Sequence, residues 1–337
     1  HRQPHHFAHL SRPTGSSGDS HQLAADLHRQ WLDSGVVRRE NAAAIYPYVI
    51  ELAGGGHRLG LCAMVGLEDP DTGVIRPHEA TVAKTVDERL SLLRTTRIDF
   101  EPILMLVEDQ GELDRLLTDD LRDAEALVQH QDASGHLHRL YRIVDTDRIA
   151  LYQRALATSV GLIADGHHRY TVASRYAAEV GAAQGTAAGA KLAVITSLAA
   201  SGIQIDPIHR RLSDPQAIES IASLATSRQA ITRETSAELV DAVRAAPQPA
   251  IGISYEGRTE LWGLARESAP DSLPEHLRHL AVGWLHDVLL PALGLPAEAA
   301  TDGTIGYRSD PRRLVAEIAD GSAAVAFWLP PKSGDCL

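Results

Sequence analysis

Three observations predict an α/β or α+β fold class. Short β-rich apolar runs alternate with amphipathic charged stretches from residue 45 to residue 329, the order expected of sheets covered by helices. Hydrophobic residues make up 44% of the chain and charged residues 23%, globular proportions that exclude a disordered, collagen-like or coiled-coil chain. At 337 residues the chain has the length of one large domain or two packed ones, and enough to bury a sizeable core.

The first twenty residues are polar, with Thr14-Gly-Ser-Ser-Gly-Asp-Ser20 reading as a loop or linker. Leu23, Leu27, Trp31 and Leu32 then recur at helical spacing ahead of Gly35, which predicts a helix whose apolar stripe is core. Segments 45–52 and 59–67 are β-rich and separated by Gly54-Gly55-Gly56, the pattern of a hairpin. Those glycines do not make a dinucleotide fingerprint, because residue 59 is Leu and no strand-to-helix switch follows. A charged helix carrying Arg89, Leu90, Leu92, Leu93 and Arg94, a buried-type strand over 103–107 and an amphipathic helix over 111–130 come next.

Strand character returns at 138–144, followed by a helix over 147–158. Val160 to Ala164 leads as a strand into Asp165-Gly166, and Val172, Ala173, Tyr176, Ala177 and Val180 continue at helical spacing, so this passage is a strand–turn–helix junction. An Ala/Gly-rich surface loop over 181–190 precedes strands at 192–198 and 202–212. The remainder reads as a helix near 215–226, strands at 250–255 and 261–264, a helix around 275–293 and a terminal strand at 323–329. A soft boundary falls at Ser213 to Pro215, and no internal repeat is evident.

The charge balance, 32 basic against 44 acidic residues, is −12 with His neutral, the wrong sign for a general nucleic-acid or membrane surface. No apolar run is long enough to cross a bilayer, and the first residues lack a secretion signal. The two cysteines, Cys62 and Cys336, allow no disulfide framework or Cys-rich metal site. Together these features predict a cytoplasmic protein with no nucleic-acid or membrane partner. Position 1 is His, and the chain stops shortly after Pro331, which reads as a processed or incomplete product.

Chemistry concentrates at Asp165-Gly166-His167-His168-Arg169. A turn opening a helix points backbone N–H groups at one spot, and the helix dipole adds about half a positive charge there. Gly166 lets the backbone come close, His167 and His168 can donate, and Arg169 can grip two oxygens, so the segment suits phosphate. Asp165 either orients a histidine or helps hold the Mg²⁺ that accompanies a polyphosphate. The plainer alternative is that Asp165 caps the helix and the histidines pack. Pro77-His78-Glu79 offers a loop carboxylate as general base toward a hydroxyl, or simply a solvated glutamate at a helix start. Arg89, Arg94 and Arg97 read as a solvated helix face from which one side chain can reach an anionic ligand. His209-Arg210-Arg211 reads equally as sheet-edge charge or as a second phosphate contact. A transition-metal centre built from His78, Glu79, Asp165, His167 and His168 is disfavoured by their spacing. No Gly-x-Ser-x-Gly or Walker A loop is present.

At these residues a family resemblance appears. Ala164-Asp-Gly-His-His-Arg-Tyr170, together with Ile75-Arg-Pro-His-Glu79 and Asp87-Glu-Arg-Leu90, resembles the bacterial domain-of-unknown-function family 1015, over nearly the whole chain. The resemblance implies a ParB/sulfiredoxin-like core with additional α/β segments and kinship with free-serine kinases. It implies an N-terminal linker and helix over 1–44, a nucleotide-binding core over 45–214, a C-terminal α/β segment over 215–331 and a tail over 332–337. By the same likeness Gly166, His167, His168 and Arg169 bind nucleotide phosphates, Asp165 stands at the transfer centre as catalytic and metal-binding residue, and His167 shares the catalytic role. Glu79 becomes the catalytic base, with His78 and Arg210 on the substrate side. The implied activity is transfer of phosphate from ATP or ADP, with Mg²⁺, to the hydroxyl of a free small molecule, L-serine first. The alternatives are a nucleotide-binding regulatory ParB-like protein or an inactive truncated relative, since the family's Pro-Pro-Tyr-Asp-like opening segment and basic tail are not visible.

Overall fold

The structure is a computed structural model that describes residues 3–14, 17–77, 83–200, 206–226, 230–232, 235–246, 249–264, 269–271, 273–296, 299 and 303–331. It is a mixed α+β protein with two sheets, in two compact units, His1–Ile203 and Gln204–Leu337.

The first unit opens with α1 (Ala8–Ser11) and α2 (Ser17–Asp33). Leu23 and Leu32 of the expected stripe are exposed, while Trp31 of that stripe turns inward together with Ala24, with His21 Nδ1 3.1 Å from Ser91 Oγ. Spacing alone could not choose between two overlapping faces; contact with α3 (Ala83–Thr96) does. Strands β1 (Tyr46–Glu51) and β2 (His57–Gly66) form the expected antiparallel hairpin, with Gly55 and Gly56 at φ +92° and +83°, where side-chain-bearing residues are strained.

Strands β3 (Ile75–Arg76), β4 (Ile103–Glu108), β5 (Val128–Gln131), β6 (Leu137–Leu140), β7 (Val160–Asp165) and β8 (Ala190–Ser197) complete an eight-stranded sheet in the order β3-β7-β4-β8-β2-β1-β6-β5. The helix expected over 111–130 is a shorter α4 (Glu112–Leu121) followed by β5. Leu113, Leu116 and Leu117 are buried, and the apolar stripe ends there. Beyond it Asp132 Oδ1 accepts from Ser134 N and His136 N at 2.8 and 2.9 Å, and this turn folds β5 onto β6 as an exposed edge hairpin. An edge strand with no buried face leaves no period-two signal. Helix α5 (Thr146–Leu156) starts at Asp145, whose carboxylate accepts from Arg148 N at 2.7 Å. Helix α6 (His167–Val180) ends at Gly181 in the left-handed region.

The second unit holds a six-stranded, wholly antiparallel sheet in the order β10-β12-β11-β14-β9-β13. Its strands are β9 (His209–Leu212), β10 (Ala230–Thr232), β11 (Ala250–Tyr255), β12 (Arg258–Gly263), β13 (Ile305–Arg308) and β14 (Val325–Trp328). Helices α7 (Gln216–Thr226), α8 (Ser236–Ala245), α9 (Ala281–Trp284), α10 (Leu290–Ala292) and α11 (Pro311–Ala319) surround it. Strand β11 is buried throughout: Ile251, Ile253 and Tyr255 enter one core with Trp284, while Ala250 enters the other with Leu239 and Trp328. The helix expected over 275–293 is broken, with a π-helical stretch Leu285–Leu289 between α9 and α10. Pro291 has no N–H for the carbonyl four residues back, which disfavours a regular helix at this point.

His209 is 3% exposed and its Nδ1 accepts from Leu329 N at 3.1 Å, so the ring must be unprotonated at that atom. Burial first, then Arg244 and Arg210, push its pKa down to about 4. A histidine that titrates normally only when unfolded binds more protons in the unfolded chain between pH ~6.5 and 4. Its contribution is therefore intact above pH ~6.5 and falls away on acidification, by about 3 kcal/mol. Denaturant titrations at pH 7 and pH 4 are expected to show this loss, and His209→Gln, which keeps an acceptor without titrating, to reduce it.

Candidate functional site

Strand β7 lies between β3, to which it is parallel (Arg76 opposite Leu162), and β4, to which it is antiparallel (Asp165 opposite Leu104). The exits of β3 and β7 and the start of β4 therefore share one end of the sheet. Chain reversal there begins with Gly166 at φ +99°. A Cβ at this position would meet Ile103 Cγ2 at 2.8 Å and Arg169 Nε at 2.9 Å, so both backbone conformation and space require glycine. Gly166 is the N-cap residue of α6 and has no side chain to cap its first turn.

Asp165 has 72% of its side chain exposed and is ion-paired with Arg169, one turn into α6. Arg169 Nη2 donates to Asp165 Oδ2 and Nη1 to the Pro102 carbonyl. The guanidinium fork that the sequence assigns to phosphate thus already clasps two protein oxygens. His168 is half-buried, and His167 is 5% exposed and turned into the protein. Next to it Tyr170 Oη accepts from Glu68 N at 3.1 Å. His78 and Glu79 lie outside the described residues; the chain leaves β3 toward them at Pro77, at the end of the sheet that carries Asp165.

Arg210 belongs to the second unit. It is 9% exposed, donates to the Ile208 carbonyl and to His286 Nε2 (3.2 Å), and lies 4.6 Å over the Tyr307 ring. No group of three or more His, Cys, Asp or Glu side chains among the described residues could hold a metal ion. Mg²⁺ needs no such cage, because it is commonly held by one or two carboxylates together with phosphate oxygens and water. The exposed carboxylate of Asp165 suits that use.

Sequence reasoning missed a buried support beneath the turn. Lys191, 1% exposed, donates from Nζ to Asp99 and to the Glu101 carbonyl (2.7 Å), while Asp99 Oδ2 accepts from Leu192 N at 2.9 Å. The segment pinned in this way presents the Pro102 carbonyl to Arg169. A lysine inside an apolar run was the only signal available. Desolvation lowers the Lys191 pKa against the opposing pull of Asp99. The unfolded chain holds that proton more tightly, so the folded state gains stability as pH rises from the lowered value toward ~10.4. Asp99→Ala leaves the ammonium buried and unpaired, at an expected cost of about 3 kcal/mol in denaturant unfolding. Lys191→Met added to it is expected to recover much of the loss.

The fold and this junction define an α+β protein with a glycine-turned strand-to-helix end where an exposed carboxylate and a guanidinium meet. The chain belongs to the family described as Protein of unknown function (DUF1015), which matches residues 1–280. No curated protein matches the sequence. Among solved structures, a conserved hypothetical protein from Pyrococcus furiosus is similar at 14% identity and TM-score 0.37, over 81% of this chain and 82% of that one. A free serine kinase in complex with AMP is similar at 14% identity and TM-score 0.37, over 80% of this chain and 76% of that one. Among the described residues no helix is long and apolar enough to cross a membrane.

Proposed function

We propose that this protein is a cytoplasmic phosphotransferase with a ParB/sulfiredoxin-like core, moving a phosphate from ATP or ADP, carried with Mg²⁺, to the hydroxyl of a free small molecule, L-serine first. The observation that carries the reading is the parallel pairing of β3 with β7. It sends the chain that leads to Glu79 and the chain that carries Asp165 out of the same sheet end. The Asp-Gly-His-His-Arg segment and its likeness to free-serine kinases support the same reading.

Phosphoryl transfer requires positioning and neutralisation of charge more than a covalent nucleophile. An incoming phosphate replaces Asp165 at the fork of Arg169 and meets the open start of α6, with His168 at its flank. Asp165, released from Arg169, would be the residue that holds the Mg²⁺ accompanying the nucleotide, which would neutralise phosphate charge there. Glu79 accepts the hydroxyl proton of the acceptor, with His78 beside it. The buried His167 supports the turn from within, and Arg210, which belongs to the second unit and is engaged there by Ile208, His286 and Tyr307, takes no part in this step.

Calorimetric titration with ATP or ADP in Mg²⁺, followed by assay for O-phosphoserine, tests the reading. Saturable nucleotide binding and product formation are expected, with product abolished in Glu79→Gln while binding persists. Binding without turnover in the unaltered chain points to a nucleotide-dependent regulator instead.

A further inference from the structure

Behind Arg169 lies a cavity of 240 Å³ between α3 and α6. Leu92 and Leu93 line one wall, Val172, Ala173 and Tyr176 the other, and Phe100 and Ile98 come from the loop that follows α3. The lining is mostly apolar with two aromatic rings; its charged members are Arg89, Arg97 and Arg169 together with the carboxylates of Asp99 and Glu101, the first held by Lys191 and the second by Arg89. Arg89 Nη1 is paired with Glu101 at 3.1 Å. Arg97 pairs with no described side chain and sits at φ +57°, a left-handed conformation that costs a non-glycine residue stability and recurs at ligand sites. Arg169 is shared: its guanidinium holds Asp165 while its side chain forms part of the cavity lining.

We infer that this cavity is the subsite for the nucleobase of the phosphate donor. The inference rests on the phosphotransferase reading and extends it. At 240 Å³ the space falls below the ~300 Å³ at which sites for whole drug-sized ligands begin. It therefore accommodates one part of a nucleotide, and its apolar and aromatic walls suit a flat ring system rather than a phosphate chain. A base seated between α3 and α6 places the ribose and phosphates past Arg169, toward the start of α6. Arg97 faces the same ligand from the end of α3, where its guanidinium offsets donor charge.

The test compares Mg²⁺·ADP with Mg²⁺·tripolyphosphate, which has the phosphates and no base, by calorimetry on the full chain. Ala173→Leu fills the cavity from α6, and Ala188→Leu fills it from the turn ahead of β8 at a half-exposed position. Each is expected to weaken ADP at least tenfold while tripolyphosphate affinity stays within twofold. Equal weakening of both probes, or unchanged ADP affinity in both variants, overturns the base subsite and leaves the phosphate reading standing. If the unaltered chain binds neither probe, both fall. Tripolyphosphate binding as tight as that of ADP in the unaltered chain also overturns the base subsite alone.

Discussion

Asp165→Asn is expected to lower phosphoryl transfer by 10²-fold or more while leaving nucleotide binding in place. Asp165 is the exposed partner of a half-buried arginine, with 72% of its side chain in solvent against 21% for Arg169. On the phosphotransferase reading its carboxylate and an incoming phosphate compete for the same guanidinium. Removing its charge ends that competition, so ADP measured without Mg²⁺ is expected to bind the variant at least as tightly as the unaltered chain. The same change removes the carboxylate offered to Mg²⁺, and stabilisation of the charge developing in transfer is worth factors of this size. Product formation and affinity thus move in opposite directions. A parallel fall in both would mean that Asp165 serves the turn alone, as a helix-start residue, and the catalytic assignment would be withdrawn.

Gly166→Ala carries the second large effect, on structure and binding together. A left-handed conformation costs an L-residue about 1–2 kcal/mol, and here φ is +99°. The added methyl also meets Ile103 Cγ2 at 2.8 Å, and Ile103 is 1% exposed, so it has little room to retreat. Overpacking of this kind costs about 1–3 kcal/mol, and the expected total is about 3 kcal/mol in denaturant unfolding. Either outcome of the clash moves Arg169 or α6 relative to β7, so tripolyphosphate binding is expected to vanish even at temperatures where the variant stays folded. Ala164→Gly, two positions earlier in β7, serves as the control for a general loosening and is expected to retain binding.

Much of the local architecture could be read from the residues. The β1–β2 hairpin followed from two apolar runs around three glycines, and β11 and β14 from short apolar segments bounded by turn residues. The Asp165–Arg169 junction followed from a strand pattern meeting a helix pattern at Asp-Gly. Elements without a buried face escaped: β5 is exposed at every position, and the choice of inward face on α2 depended on α3. The break at Leu285–Leu289 escaped as well, because the helical period runs on across Pro291.

The order of residues alone determined the α+β class, the glycine at the turn and the identity of the polar groups beside it, because backbone preference and hydrophobic period act within a few neighbours. Only the tertiary structure decided what those groups touch. Arg169 meets the Pro102 carbonyl and Lys191 meets Asp99 through contacts that span 67 and 92 positions, and β3 comes beside β7 across a comparable stretch of chain. Such pairings are selected by the burial of a whole sheet, a sum over many strands that no local pattern contains.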